Sequence, residues 1–240
     1  MLRIREFALS PRYHGFVRSY RQFCPAARAL DLVGERWTLL VVRELLFGPK
    51  RYTDLQEGLP GIGPNVLAGR MRALEDAGLV QKRRLAPPVA STVYELTELG
   101  AGLRPVLMDL FQWGLQLLST PGADETVKAS YWLPAIESAA DAAAVPEEID
   151  DVYEFRVGAE AITVTAEDGG IAVRAGPAES PDLIVETDPA TFARLGRGQL
   201  SPAEAAEQGK LAFEGDEAAA ERCATIFGSR REEPEPASVS

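Results

Sequence analysis

Apolar residues recur at helical spacing through the first half of the chain and at alternate positions through much of the second. In "CPAARALDLVGERWTLLVVRELLFGPKRYTDLQEGL", Leu39, Leu40, Val41, Val42, Leu45 and Leu46 give one helix a broad apolar face. Gly48 and Pro49 stop it. Thr53, with Gln56 three residues on, has capping-box spacing for the next helix, which is short and ends at Gly58. "LPGIG" is a turn, and Pro64 suits a first helical position because its missing N–H would have gone unpaired anyway. The pattern predicts a helix over 64–77 with Gly78 as its stop. Leu67, Met71 and Leu74 share its inward face. Asn65, Ala68, Gly69 and Arg72 share the opposite one, and Arg70 lies on the flank.

"LVQKRRL" reads as a strand, "APPVAS" as a turn and "TVYELT" as the returning strand. Helices followed by a basic hairpin make a winged helix–turn–helix. "GAGLRPVLMDLFQWGLQLL" then reads as a helix too apolar to stand alone, which should pack on a partner subunit as well as its own core.

Further on, "VKASYWLPAIESAADAAA" is helical. Strands are expected at 153–157, 161–166, 171–174 and 183–186. Asp188-Pro189 and Ser201-Pro202 each open a helix. "LAFEGD" is a short strand and "EAAAERCATIFG" a closing helix. The order is helix, four strands, two helices, strand, helix. The expected fold class is therefore α+β: an N-terminal winged helix–turn–helix and a second α/β domain with a mostly antiparallel sheet.

Charge sharpens this division. The net charge of −11 hides 16 Lys+Arg against 11 Asp+Glu up to Thr120, and 9 against 25 from Pro121 onward. The basic half suits phosphate and the acidic half does not. "STPGADET" marks the boundary. Two cysteines make no disulfide framework. With no membrane-length apolar run and no readable signal peptide, the expectation is a cytoplasmic protein without a membrane partner.

The outward face of the 64–77 helix starts small and polar and ends basic. Small residues permit close approach; Asn can pair two-pronged with adenine and Arg with guanine. A helix–turn–helix reader has this layout, and a basic strand beside it suits phosphates or the minor groove. The plain alternative is an amphipathic helix with a solvated face.

"RSYRQFCPAARALDLVGERWTLLVVRELLFGPKRYTDLQEGLPGIGPNVLAGRMRALEDAGLV", with "VYELTELG" and the Trp-bearing helix, resembles the HxlR family of bacterial transcription regulators over 18–120. The resemblance implies a homodimer built by N- and C-terminal helices, binding double-stranded DNA. It implies Asn65, Ala68, Gly69, Arg70 and Arg72 in or beside the major groove. It also implies Lys82, Arg83 and Arg84 on the wing, with Arg51 and Thr53 near backbone phosphates. In relatives a cysteine matching Cys24 senses oxidants or electrophiles. Here Cys24 stands where a helix should begin, with Arg21 and Arg28 nearby, a setting that suits a reactive thiol. A packed small residue beside a dimer interface is the alternative.

Residues 124–228 resemble the sterol carrier protein fold in a small form, through "DLIVETDPATFARLGRGQLSPAEAAEQGKLAFEGD" and the final "IFG". That resemblance implies an apolar cavity for a lipophilic molecule, with Trp132, Leu133, Ile136, Phe192, Leu195 and Phe227 as candidate lining; ordinary core is the competing role for each. Cys223, mid-helix among alanines, reads as an inert buried thiol. Residues 1–17 are either a basic arm or the product of an upstream start codon. The lone His14 has no metal ligands around it, and residues 229–240 read as a disordered tail.

No Gly-x-Ser-x-Gly elbow, P-loop or dinucleotide glycine pattern is present, so neither an enzyme nor a cofactor is expected. The expected function is a homodimeric transcription regulator, a repressor in preference to an activator, on a near-palindromic operator. The second domain is expected to hold a lipophilic effector. Two alternatives stay open: a thiol switch at Cys24, and a lipid-binding protein whose winged helix binds protein.

Overall fold

The computed structural model describes residues 19–86, 91–118, 122, 124–140, 145–146 and 148–228. The N-terminal arm, the wing tip at 87–90 and the C-terminal tail lie outside the described residues. The chain divides into two compact units, Met1–Leu107 and Met108–Ser240.

The first unit holds α1 (Pro25–Val33), α2 (Thr38–Leu46), α3 (Tyr52–Gly58), α4 (Pro64–Asp76), β1 (Val80–Arg84), β2 (Thr92–Leu96) and α5 (Glu98–Ala101). Its core comprises Val41, Val42, Leu45, Leu55, Leu59, Leu67, Met71 and Leu74, all buried. The three apolar α4 positions recur at spacings of four and three, so one stripe of that helix faces inward.

Three local expectations change. The α3 cap is not Thr53 with Gln56: the helix starts at Tyr52, and Asp54 reaches back to accept the Arg51 N–H at 2.9 Å. An aspartate at the third helical position makes that return bond more compactly than a glutamine two residues further on. Leu40, expected within the buried face of α2, is exposed: it lies in the first turn, and the helix is buried on all sides only from Val41 to Leu46. The long apolar helix is split into α5 and α6 (Arg104–Leu115). Thr97 caps α5 by accepting the Gly100 N–H at 3.1 Å and donating to the Gly78 carbonyl at 2.6 Å. A Cβ at Gly100 would stand 2.0 Å from the Leu79 carbonyl oxygen, so only glycine allows α5 this close to the foot of the wing.

In the second unit, α7 (Ala129–Ala139) precedes β3 (Asp150–Val157), β4 (Glu160–Glu167), β5 (Gly170–Ala175) and β6 (Leu183–Thr187). There follow α8 (Pro189–Gly196), α9 (Pro202–Glu207), β7 (Leu211–Gly215) and α10 (Glu217–Gly228). The sheet order is β5-β4-β3-β6-β7; β3 and β6 run parallel and the other pairs antiparallel. Alternation puts Tyr153, Phe155, Val157, Ile162, Val164, Leu183 and Val185 on one buried face, with Glu154, Arg156 and Glu186 on the other. Asp188 caps α8 by accepting the Thr191 N–H at 2.9 Å. Ser201 and Glu204 form a reciprocal capping box on α9.

Helix α10 is anchored to β3. Arg222 donates from Nε and Nη2 to Asp151 at 2.6 and 2.8 Å, and the Tyr153 hydroxyl donates to the same carboxylate at 2.8 Å. The Arg222 bonds hold the Asp151 carboxyl below its ordinary range against the opposing effect of burial, and Tyr153 adds to them. Burial pushes the neighbouring Cys223 thiol up to about 12, so it stays protonated and inert, as its setting among alanines suggests.

Candidate nucleic-acid interface

Helices α3 and α4 meet through a turn that their sequence dictates. Gly61 takes φ +85, a left-handed conformation that favours glycine. The Tyr52 hydroxyl donates to the Pro64 carbonyl at 2.9 Å and ties the start of α3 to the start of α4. With Leu67, Met71 and Leu74 turned inward, α4 leaves Asn65, Val66 and Arg72 exposed, and Ala68 and Gly69 half-buried. Val66 was missed in the sequence; an apolar residue off the inward stripe was the available signal, and its methyls suit a thymine methyl group. A Cβ built at Gly69 meets nothing within 4 Å.

The cations divide into two groups. Arg72 and Arg84 are exposed and have no ion pair among the described residues. Lys82 donates to Glu75 at 3.0 Å and lies 5.4 Å from the Tyr94 ring centroid; the Glu75 bond holds its pKa above the ordinary lysine value. Arg83 donates to Glu95 at 2.7 Å. Arg70, on the flank of α4, is turned back onto Glu35 at 3.1 Å. Arg51 and Thr53 are exposed at the start of α3.

Strands β1 and β2 pair antiparallel from Val80↔Leu96 to Arg84↔Thr92. A bridge between Lys50 and Tyr94 adds two backbone bonds, 2.9 and 2.7 Å, and seats the wing on the segment after α2. Beneath it lies a charged cluster. The Glu44 side chain is 1% exposed and accepts from Arg43 at 2.7 Å and from Lys50 at 3.1 Å. Gly58 makes room for it: a Cβ there would stand 2.5 Å from Glu44 Oε2.

Helix α6 buries Leu107 and Leu115 and exposes Val106, Leu110 and Trp113, with Leu117 exposed two residues past its end. Arg104 pins its first turn, donating to the Leu46 carbonyl at 3.0 Å. Tyr20, Phe23 and Leu30, in and before α1, are also exposed. Cys24 is the N-cap of α1 and half-exposed.

Of the candidate lining residues in the second unit, Leu133 and Ile136 are buried and Trp132, Phe192, Leu195 and Phe227 half-buried. Trp132 and Phe192 meet edge-to-face at 5.1 Å, whereas Phe227 meets Phe155 at 5.3 Å. The Trp132 indole N–H is buried with no partner among the described residues. Among the described residues no helix is long and apolar enough to cross a membrane.

Comparison with known proteins places this geometry. The family of HxlR-like helix-turn-helix proteins matches residues 32–121, and the SCP-2 sterol transfer family matches 133–228. The HTH-type transcriptional regulator YodB of Bacillus subtilis is 34% identical over 94 residues, which are 39% of this chain and 84% of YodB. The uncharacterized HTH-type transcriptional regulator Rv3095 of Mycobacterium tuberculosis is 42% identical over 94 residues; the match covers 39% of this chain and 59% of that relative. The solved structure of the reduced form of YodB shares 31% identity, covering 42% of this chain and 100% of that one, with a TM-score of 0.36. With its residues 133–228 similar to the SCP-2 sterol transfer family, the chain belongs to the HxlR-like helix-turn-helix family.

Proposed function

We propose that the protein is a homodimeric transcriptional regulator, acting as a repressor on a near-palindromic DNA site, with a lipophilic effector in its second domain. Gly69 carries the reading. Glycine inside a helix costs about 0.5–1 kcal/mol relative to alanine, and among the described residues nothing lies within 4 Å of the place its missing Cβ would take. Close approach of an outside surface accounts for that cost. In this reading Asn65, Val66 and Arg72 face base edges, Arg84 leads the wing on phosphate, and Arg51 and Thr53 meet the backbone. Two reading helices of a dimer enter successive major grooves about 34–36 Å apart.

Gly69→Ala tests this with two readouts of opposite sign. The melting temperature should rise, because the helix gains alanine. Affinity for the DNA site recovered by selection from random duplexes should fall about tenfold or more, since an inserted methyl in a packed contact costs roughly 1–3 kcal/mol. A variant that melts higher and binds as well as the wild type would remove the main support for the reading. Arg84→Ala, in the same assay, should weaken all sequences about evenly and flatten the salt dependence.

For the second domain, the buried Trp132 N–H among apolar side chains favours a lipophilic ligand bearing one hydrogen-bond acceptor. Native mass spectrometry of the gently purified protein should show an added lipophilic mass that Trp132→Phe diminishes. A protein that stays bare after incubation with a cell lipid extract would reduce these residues to core.

A further inference from the structure

Arg70 follows Gly69 on the proposed reading helix, yet its guanidinium is engaged by a residue 35 positions earlier, Glu35, through a 3.1 Å bond. We propose, building on the DNA-binding reading above, that Glu35 is a positioning residue for DNA recognition. It holds Arg70 against the body of the domain, and exchange of that carboxylate for a DNA phosphate adds a cation to the interface.

Three observations carry this. The contact is made to be exchanged: Glu35 is 51% exposed and Arg70 26%, and ion pairs this wet are weak and screened by salt. The resting state also leaves Arg70 incompletely satisfied, because its Nε is buried with no partner among the described residues. A guanidinium offers five donors in a fork that fits a phosphate two-pronged, so the exchange can satisfy a donor that Glu35 leaves open. Finally, the carboxylate is held in place by a fixed turn. The Glu35 backbone carbonyl accepts the Thr38 N–H at 3.1 Å as α2 begins. Trp37 takes φ 78, the left-handed region, which is an outlier for an aromatic residue. Its ring edge stands 3.9 Å from the position a Cβ would take at Gly61, in the turn leading into α4. Arg36, the cation of this turn, stacks over the Trp37 ring at 5.4 Å and leaves Glu35 to Arg70. The turn that presents Glu35 and the turn that sets α4 are therefore packed together.

The test is a double-mutant cycle. Binding to a mixed-sequence duplex is measured over a salt series for the wild type, Glu35→Gln, Arg70→Ala and the double variant, with thermal melting as the folding control. Glu35→Gln should tighten binding about two- to fivefold, matching the small worth of an exposed ion pair. It should leave the logarithmic salt slope at the wild-type value, whereas Arg70→Ala should flatten it by about 0.9, the value of one lost phosphate contact. Glu35→Asp should keep the wild-type slope. In the Arg70→Ala background, Glu35→Gln should change neither quantity. An equal gain in both backgrounds overturns the proposal, because it would reflect only the loss of a negative charge. An unchanged slope in Arg70→Ala overturns it too, since Arg70 would then make no phosphate contact in the complex. Absence of any salt-dependent binding by the wild type defeats the DNA-binding reading itself, a result distinct from the other two.

Discussion

Aspartates at Leu110 and Trp113 should convert the protein from dimer to monomer and reduce operator affinity by a factor of roughly 1000 or more, towards the non-specific level. Val106, Leu110 and Trp113 follow one another at spacings of four and three, so they form one stripe on α6, and Leu117 stands two residues past its end. Trp113 is 60% and Leu117 66% exposed. A contiguous apolar stripe of this kind marks an association surface, and tryptophan is the residue most often found to dominate such contacts. Two carboxylates in the buried centre of an interface are desolvated without partners and oppose association. The inward side of α6, Leu107 and Leu115, is untouched, so each protomer should keep its fold. Sedimentation equilibrium and DNA titration read the two consequences together. A double variant that remains dimeric would move the interface elsewhere, to the surface around Tyr20, Phe23 and Leu30.

The second large effect is on stability. Glu44→Ala should destabilise the first unit by about 3 kcal/mol, because it removes the buried carboxylate that Arg43 and Lys50 share. For a unit of this size, that corresponds to a fall in melting temperature of roughly 10–20 °C. Glu44→Gln keeps the shape and loses the charge, and should fall between the wild type and alanine. The cluster joins α2, the segment carrying Lys50 and, through the Lys50–Tyr94 bridge, the wing. An unchanged melting temperature in Glu44→Ala would mean that the backbone bridge seats the wing unaided.

Much of this architecture could be read from the sequence because the signals were local. Pro64, Asp188-Pro189 and Ser201-Pro202 opened helices where expected, and period-two alternation located all four consecutive strands of the second unit to within a few residues. Local grammar failed where two local solutions competed, as at α3, where Asp54 and not Thr53 satisfies the first turn. Contacts between distant positions were beyond it. Lys82, Arg83 and Arg84 look equivalent in sequence, yet Glu75 and Glu95 engage the first two and leave Arg84 open. Arg70 looked like a simple flank residue because Glu35 lies on another helix's connection. The parallel pairing of β3 with β6 was hidden for the same reason, since alternation fixes the face of a strand and not its neighbour.

That parallel pair sets an order of events for the chain as it leaves the ribosome. Strands β3, β4 and β5 can zip as successive hairpins over tight turns, within microseconds of becoming available. The other flank of β3 stays an open edge until β6 arrives across the whole β4–β5 excursion, and β6 is open in turn until α8, α9 and β7 have been made. A nascent second unit therefore displays the apolar face of Tyr153, Phe155 and Val157 while its closing helix, with Arg222, is still unsynthesised. The largely helical first unit, dominated by local contacts, can fold ahead of it. The fusion thus places a fast-folding module in front of a slow one, and the interval between them is when this chain is most exposed to aggregation and most in need of a chaperone.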